Sequence, residues 1–301
     1  MAPPSHPLFG QRVILFPVRG WETDALGPER ARAPDGTWAA HSVISVMGGT
    51  RHFPQGTLAE YGVFDAAQAV AAPAHLSDAE AAALPICGLT AWRAVASKAR
   101  VQAGENVLVT GIGGGVALFA LQAAVARGAN VWVSSASPAK IARAVALGAR
   151  GGVLYSAEKW EKLLAAQLPR DRPWIDAVVD GAGGDVVQRV TPIMADGGRI
   201  VSYGMTLGPV LPVGMGAVLK NLELLGSTMG SRREFGDMVA FVGEKRLRPV
   251  ISRVVEGLGL EGLEELWADM KAGRQFGKLV ISIWDGKDVE LAKQLDESCK
   301  L

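Results

Sequence analysis

The chain has 301 residues, 49% of them hydrophobic and 20% charged, and its 31 Lys and Arg against 30 Asp and Glu leave a net charge of +1. That balance gives no electrostatic case for nucleic acid or an anionic membrane as partner, and the two distant cysteines, Cys87 and Cys299, exclude a disulfide scaffold or a cysteine zinc knuckle and fit a reducing, cytoplasmic setting. No apolar run is long enough to span a bilayer, the Pro-rich start lacks a signal-peptide pattern, and the length suggests two domains.

Residues 1–60 are irregular and rich in Gly, Pro and Trp, with short apolar runs at Val13–Phe16 and Val43–Val46 that read as strands. Gly56–Phe64 reads as another. Ser77-Asp-Ala-Glu80 is a capping box opening a helix that stops at Pro85. A second helix, starting near Gly88, carries Thr90, Trp92 and Val95. From residue 106 strands and helices alternate. Strands are expected at 106–110, 130–134, 153–154, 175–179, 199–203 and 222–225. Helices are expected at 115–127, 138–147 and 158–167, the second with Ser137 as N-cap before Pro138 and Gly148 as its stop. Such alternation, with continuous Val/Ile/Leu strands, predicts an α/β fold with a parallel sheet covered by helices. Two amphipathic stretches (235–244 and 260–271) and a last strand (278–283) precede a charged tail. Trp21, Trp38 and Tyr61 read as core or loop packing before pocket lining.

Glycine, at 37 residues, exceeds the usual ~7% and clusters between apolar runs. The strongest cluster is Gly111-Ile-Gly113-Gly114-Gly115-Val116-Ala117, between a strand and an apolar helix. A backbone without Cβ admits a diphosphate, and the helix N-terminus offers it free N–H groups and a positive dipole end. The end of the next strand, Ser134-Ser135-Ala136-Ser137-Pro-Ala-Lys140, lacks the carboxylate that usually accepts a ribose 2′-hydroxyl. Ser135, Ser137 and Lys140 can instead receive a 2′-phosphate, with Arg143 one turn on. This favours NADPH.

In this order the residues resemble the medium-chain dehydrogenase/reductase superfamily, in its zinc-independent quinone-oxidoreductase and enoyl-reductase branch. Gly56-Thr-Leu-Ala-Glu-Tyr61 is similar to the family's Gly-x-x-Ala-Glu-Tyr strand. Ala83–Trp92 resembles the segment entering the cofactor domain, and Gly111, Gly114 and Ala117 fall on its glycine turn. Leu147–Ala149, Val178–Gly184, Gly197–Gly204, Gly226–Gly230 and Phe276–Val280 match later landmarks. The resemblance implies a Rossmann doubly wound parallel sheet (residues 89–234). It also implies a GroES-like irregular β domain (1–88), to which the C-terminal part (235–301) returns. The chain enters at Gly10-Gln-Arg-Val, so the GroES-like domain is expected to be partial on the substrate side.

By the same resemblance Thr90 lies beside the nicotinamide, Lys140 and Tyr155 match the 2′-phosphate clamp, and Arg274 assists. Tyr155 reads equally as a half-buried strand-end tyrosine. With the turn residues Gly111, Gly113, Gly114, Gly115 and Val116, the expected cofactor set includes Ser135, Ser137, Gly181, Ala182, Gly204, Met205, Ser227 and Met229. No metal is expected: Cys87 reads as a core residue, and His41, His52 and His75 lack metal spacing. Asp180 reads as structural, and no catalytic acid is named. The function implied is NADPH-dependent hydride transfer to a quinone or an activated C=C bond of a small molecule, by a homodimer. The alternatives are a zinc-type alcohol dehydrogenase and an NADPH-binding protein without turnover.

Overall fold

The structure, a computed structural model, describes residues 5–30, 44–49 and 52–283. Val43, Trp38, His41, Cys299 and the charged tail lie outside the described residues. The front part carries short strands: β1 (Val13–Leu15), β2 (Val18–Arg19), β3 (Ser45–Val46) and β4 (Ala69–Ala71). They form two antiparallel pairs, β1 with β4 and β2 with β3. The expected strand over Gly56–Phe64 is not formed. Leu58, Tyr61 and Val63 are exposed there, and no described strand lies alongside to complete a ladder. Alternating apolar residues become a strand only where a neighbour takes the backbone bonds and a core takes one face. Tyr61 is therefore neither core nor packed loop.

Two helices lead into the second region. In α1 (Asp78–Ala83), Ser77 and Glu80 form the capping box. In α2 (Pro85–Trp92), Pro85 occupies the first turn instead of ending the preceding element in a loop. The helix thus starts three residues before the expected Gly88, because a proline at the first helical position has no N–H to waste. A π-helical turn, Arg93–Lys98, continues it.

The alternation that follows is β5 (Asn106–Val109), α3 (Gly115–Ala126), β6 (Asn130–Ser135), α4 (Pro138–Ala146), β7 (Gly151–Leu154), α5 (Trp160–Ala165), β8 (Ile175–Asp180), α6 (Val186–Val190), β9 (Met194–Ser202), α7 (Met215–Leu219) and β10 (Glu223–Gly226). The six strands form one parallel sheet in the order β10-β9-β8-β5-β6-β7. Every residue of β5 and β8 is buried, as two-sided coverage of a central strand requires. The order reverses between β5 and β8, so a crevice opens where their carboxyl ends diverge.

The chain then returns through α8 (Arg232–Lys245), β11 (Ile251–Glu256), α9 (Leu260–Lys271) and β12 (Lys278–Ser282), with β11 parallel to β12. Helix α8 packs between the two regions, as its amphipathic pattern suggested. Its Phe235 ring meets Phe16 of the front part at 5.4 Å and its Phe241 ring meets Trp92 of α2 at 4.9 Å. Among the described residues no helix is long and apolar enough to cross a membrane.

Candidate active site

The glycine turn after β5 is built as its residue types demand. Gly111 and Gly113 have φ of 62° and 138°, conformations that a Cβ disfavours. Gly114 is the N-cap of α3 and supplies no side-chain cap, so the first N–H groups of the helix stay free for a phosphate. Gly111 N–H donates to Ser134 Oγ at 3.3 Å, which fixes the turn to the end of β6.

Beside this turn lies a cavity of about 550 Å³. It joins eight expected cofactor residues: Gly111, Gly113 and Gly114 line it together with Ser135, Ser137, Lys140, Tyr155 and Arg274. Arg274 completes the wall from the loop between α9 and β12. Ser137 accepts from Lys140 N–H at 3.4 Å as helix N-cap, and Ser135 Oγ accepts from Ser137 N–H at 3.1 Å. Both hydroxyls keep their protons free to donate. The Lys140 ammonium rests on the Gly273 carbonyl at 2.8 Å, and Arg274 on Asp269 at 2.8 Å. Tyr155 stands at the rim, 46% exposed. Arg143 does not join them: its guanidinium stacks on the Phe276 ring at 4.0 Å.

One residue of this wall, and one contact behind it, were not given a role from sequence. Gln275 lines the cavity with a side-chain carbonyl that is buried and unpartnered. Gly277 donates its N–H to the Gly113 carbonyl at 2.9 Å, which holds the α9–β12 loop on the turn. A buried acceptor without a donor is an unmet polar group, and a cofactor hydroxyl is the chemistry that would meet it. The only signal in the chain was the Phe276-Gly-Lys landmark itself.

Across the crevice, Asp180 ends β8. It accepts from Thr110 Oγ1 at 2.5 Å and from the N–H groups of Gly183 and Ala182 at 2.9 and 3.0 Å. Burial pushes its carboxyl up, opposed by those hydrogen bonds. Its work is structural: it ties the loop carrying Gly181 and Ala182 to the end of β5. The Tyr203 ring lies on Gly181, where a Cβ would come within 2.5 Å of the phenol oxygen. Burial and the Asp180 charge raise the phenol, which stays protonated. Gly204 packs on the Gly181 backbone, and Thr90 donates to Met229 Sδ at 3.7 Å. Val116 and Gly115 sit in the first turn of α3, where a Cβ on Gly115 would lie 2.7 Å from Cys87 Sγ.

A second cavity of about 450 Å³ opens at the ends of β9 and β10. Gly204, Met205 and Ser227 line it from the sheet, and Trp21, Arg93 and Lys98 from the front. Trp21 is thus both a core residue, 1% exposed, and a pocket wall. Arg93 and Lys98 were not foreseen.

The family described as zinc-binding dehydrogenase matches residues 115–244. A zinc-type alcohol dehydrogenase-like protein, YogA, of Leptosphaeria maculans is 45% identical over 284 residues, covering 93% of this chain and 76% of that protein. The chain belongs to the medium-chain dehydrogenase/reductase superfamily. Among solved structures, an alcohol dehydrogenase of Sinorhizobium meliloti is 35% identical with a TM-score of 0.76, over 91% of this chain and 75% of that one. A structure described as an NAD-dependent alcohol dehydrogenase is 36% identical with a TM-score of 0.71, over 80% of this chain and 68% of that one. The glycine turn, the six-stranded order and the nucleotide crevice are those of a medium-chain dehydrogenase/reductase, and the protein is an oxidoreductase of alcohol-dehydrogenase-like type.

The superfamily's zinc does not fit the residues described. Among them no three His, Cys, Asp or Glu side chains converge. Cys87 is buried, its thiol pushed up by burial and opposed by the Lys278 ammonium beside it. His75 is engaged with the Leu247 carbonyl at 2.8 Å.

Proposed function

We propose that this dehydrogenase/reductase uses NADPH to reduce a quinone or an activated C=C bond of a small molecule. The observation that carries the cofactor reading is the cavity beside the glycine turn: Lys140, Arg274, Ser135, Ser137 and Tyr155 surround it, and none of the described residues lining it is acidic. An NAD site would place a carboxylate at the end of β6, and a 2′-phosphate would be repelled by it. Here the end of β6 offers hydroxyls and, one turn on, an ammonium.

The turn residues and the free N–H groups of α3 would hold the diphosphate, and Gln275 would accept from a ribose hydroxyl. Gly204, Met205, Ser227 and Met229, with Thr90 opposite, would orient the nicotinamide. When bound, the nicotinamide supplies the hydride. The chain's own part is position and polarisation: the protonated Tyr203 hydroxyl, in the wall of the cavity at the ends of β9 and β10, is a donor for a substrate carbonyl. The glycines bring the backbone close, and the walls of Trp21 and Met205 narrow the access of water. The test is NADPH oxidation, followed by absorbance, with phenanthrenequinone and simple enones. Turnover with NADPH supports the reading, and tight NADPH binding without turnover on the whole panel favours a binding protein instead.

We also infer that two copies pair along the outer edge of β10. It is one of the two edge strands of the sheet, β7 being the other, and Val210, Val218, Leu219 and Leu224 around it are exposed. An unpaired edge beside apolar side chains favours a symmetric partner. Sedimentation of the protein and of Leu219→Glu tests this: a dimer converted to monomer supports it. The free thiol of Cys87 supports a cytoplasmic setting.

A further inference from the structure

The cavity at the ends of β9 and β10 holds an electrostatic imbalance that cofactor binding does not explain. Arg93 is buried, 1% exposed, and its Nη1 donates to both oxygens of Glu234 at 2.7 and 2.8 Å. Glu234 has no capacity left. Ser97 Oγ donates to Oε1 at 2.5 Å, and the Ser231 N–H and Oγ donate to Oε2 at 2.8 and 3.0 Å. One cation is therefore neutralised. The second, Lys98, lines the same cavity and has no carboxylate within ion-pair distance among the described residues. None of the described residues lining the cavity is acidic.

The placement of Lys98 is built into the backbone. Arg93–Lys98 is a π-helical turn, closed by Ala99 N–H on the Ala94 carbonyl at 2.8 Å. In an α-helix residues 96 and 97 would lie over residue 93. The wider π turn brings residue 98 round to that face as well, and such turns are rare and frequently found at functional sites. Burial and the Arg93 charge lower the Lys98 ammonium, with Glu234 opposing. An anion beside it would relieve both effects.

A second feature lies in the wall of the same cavity. Ser227 Oγ and Arg93 Nε are buried and unpartnered, and both residues line the cavity. Arg93 Nε belongs to a guanidinium lying over the Trp21 ring at 4.4 Å, so the Trp21 face accounts for it. The Ser227 hydroxyl has no partner among the described residues, and as a donor it is left for the nicotinamide or for a substrate group held beside it. Leu26 and Met205 supply apolar wall around these polar groups.

We propose that the pocket between the Trp21–Pro28 loop and the ends of β9 and β10 is a subsite for a carboxylate on the substrate, with Lys98 supplying the charge and Ser227 a hydroxyl donor. The hydride acceptor is then a carbonyl or enone compound that also bears an acid group. Naming it a substrate rests on the hydride-transfer reading above; the carboxylate subsite itself does not.

The test is calorimetric titration of the full chain with trans-benzoylacrylate and with its methyl ester, in the absence and presence of NADP. The acid should bind about tenfold tighter than the ester, as one charge-assisted contact provides. Lys98→Met should bring the two affinities together, and Lys98→Arg should retain most of the preference. Equal binding of acid and ester to the unaltered protein, no binding of the acid, or a preference that survives Lys98→Met overturns the proposal. NADPH binding is measured alongside by fluorescence. If it fails while the acid preference persists, the cofactor reading falls and the subsite stands; if it holds while the preference is absent, the subsite alone falls.

Discussion

The two cavities at the carboxyl edge of the sheet hold their cations in opposite ways. Beside the glycine turn, Lys140 is half-buried and rests on a backbone carbonyl, and Arg274, its side chain 63% exposed, pairs with the mostly buried Asp269 carboxylate. At the ends of β9 and β10, Arg93 is sealed between Glu234, the Ala25 and Leu26 carbonyls and the Trp21 ring. Partly exposed cations exchange one weak partner for a phosphate at little cost, because a surface ion pair contributes about 0–1 kcal/mol. A buried pair cannot be exchanged, since removing either partner strands a charge. The first cavity is thus arranged to receive a ligand's charge, and the second is a rigid wall with a single spare cation.

The comparison breaks most visibly at Glu234. Glu234→Gln should destabilise the fold by about 3–5 kcal/mol, because Arg93 would be left buried without its counter-charge. Denaturant unfolding reads this directly, and a loss below about 1 kcal/mol would mean that the Arg93 network is not the fixed wall described. Asp180→Ala comes next. It leaves the Thr110 hydroxyl and two N–H groups short of their acceptor, for about 1–3 kcal/mol, with the loop carrying Gly181 loosened and nucleotide affinity reduced. Lys140→Ala should cost about 1 kcal/mol of stability, since the half-buried side chain makes one hydrogen bond, to the Gly273 carbonyl. It should weaken NADPH about tenfold, or about 1.4 kcal/mol, and leave NADH unchanged. A parallel loss of both nucleotides would show that Lys140 does not read the 2′-phosphate.

The smallest effect concerns the loop that walls the second cavity. Burial alone would raise the Glu29 carboxyl, but the N–H groups of Thr23, Asp24 and Glu22 hold it down to about 2. A carboxyl lowered on folding stabilises the folded state above its unfolded value near 4.5 and loses that contribution as pH falls toward 2. The loop should therefore stay closed at neutral pH and loosen below about 4.5. The difference in fluorescence between the protein and Trp21→Phe follows it, and in Glu29→Gln the acid transition should vanish.

The same contrast explains what could be read from the chain. The glycine-turn cavity draws its main residues from 111–114 and 135–140, two neighbouring strand ends, so spacing alone placed them. The parallel sheet was legible for the same reason, since each β-α unit is local. The second cavity is assembled from residues 21–28, 93–98, 227 and 234, and its decisive device is a π turn that has no sequence pattern. Gly56–Phe64 failed in the opposite sense: its residues alternate as a strand does, but a strand needs a neighbour, and a neighbour is not a property of the segment.

The central claim is that the glycine-turn cavity reads a 2′-phosphate. Dissociation constants of NADPH and NADH, measured on the unaltered protein under one buffer and salt condition, test it most directly. NADPH should bind at least about tenfold tighter than NADH; equal affinities would contradict the account.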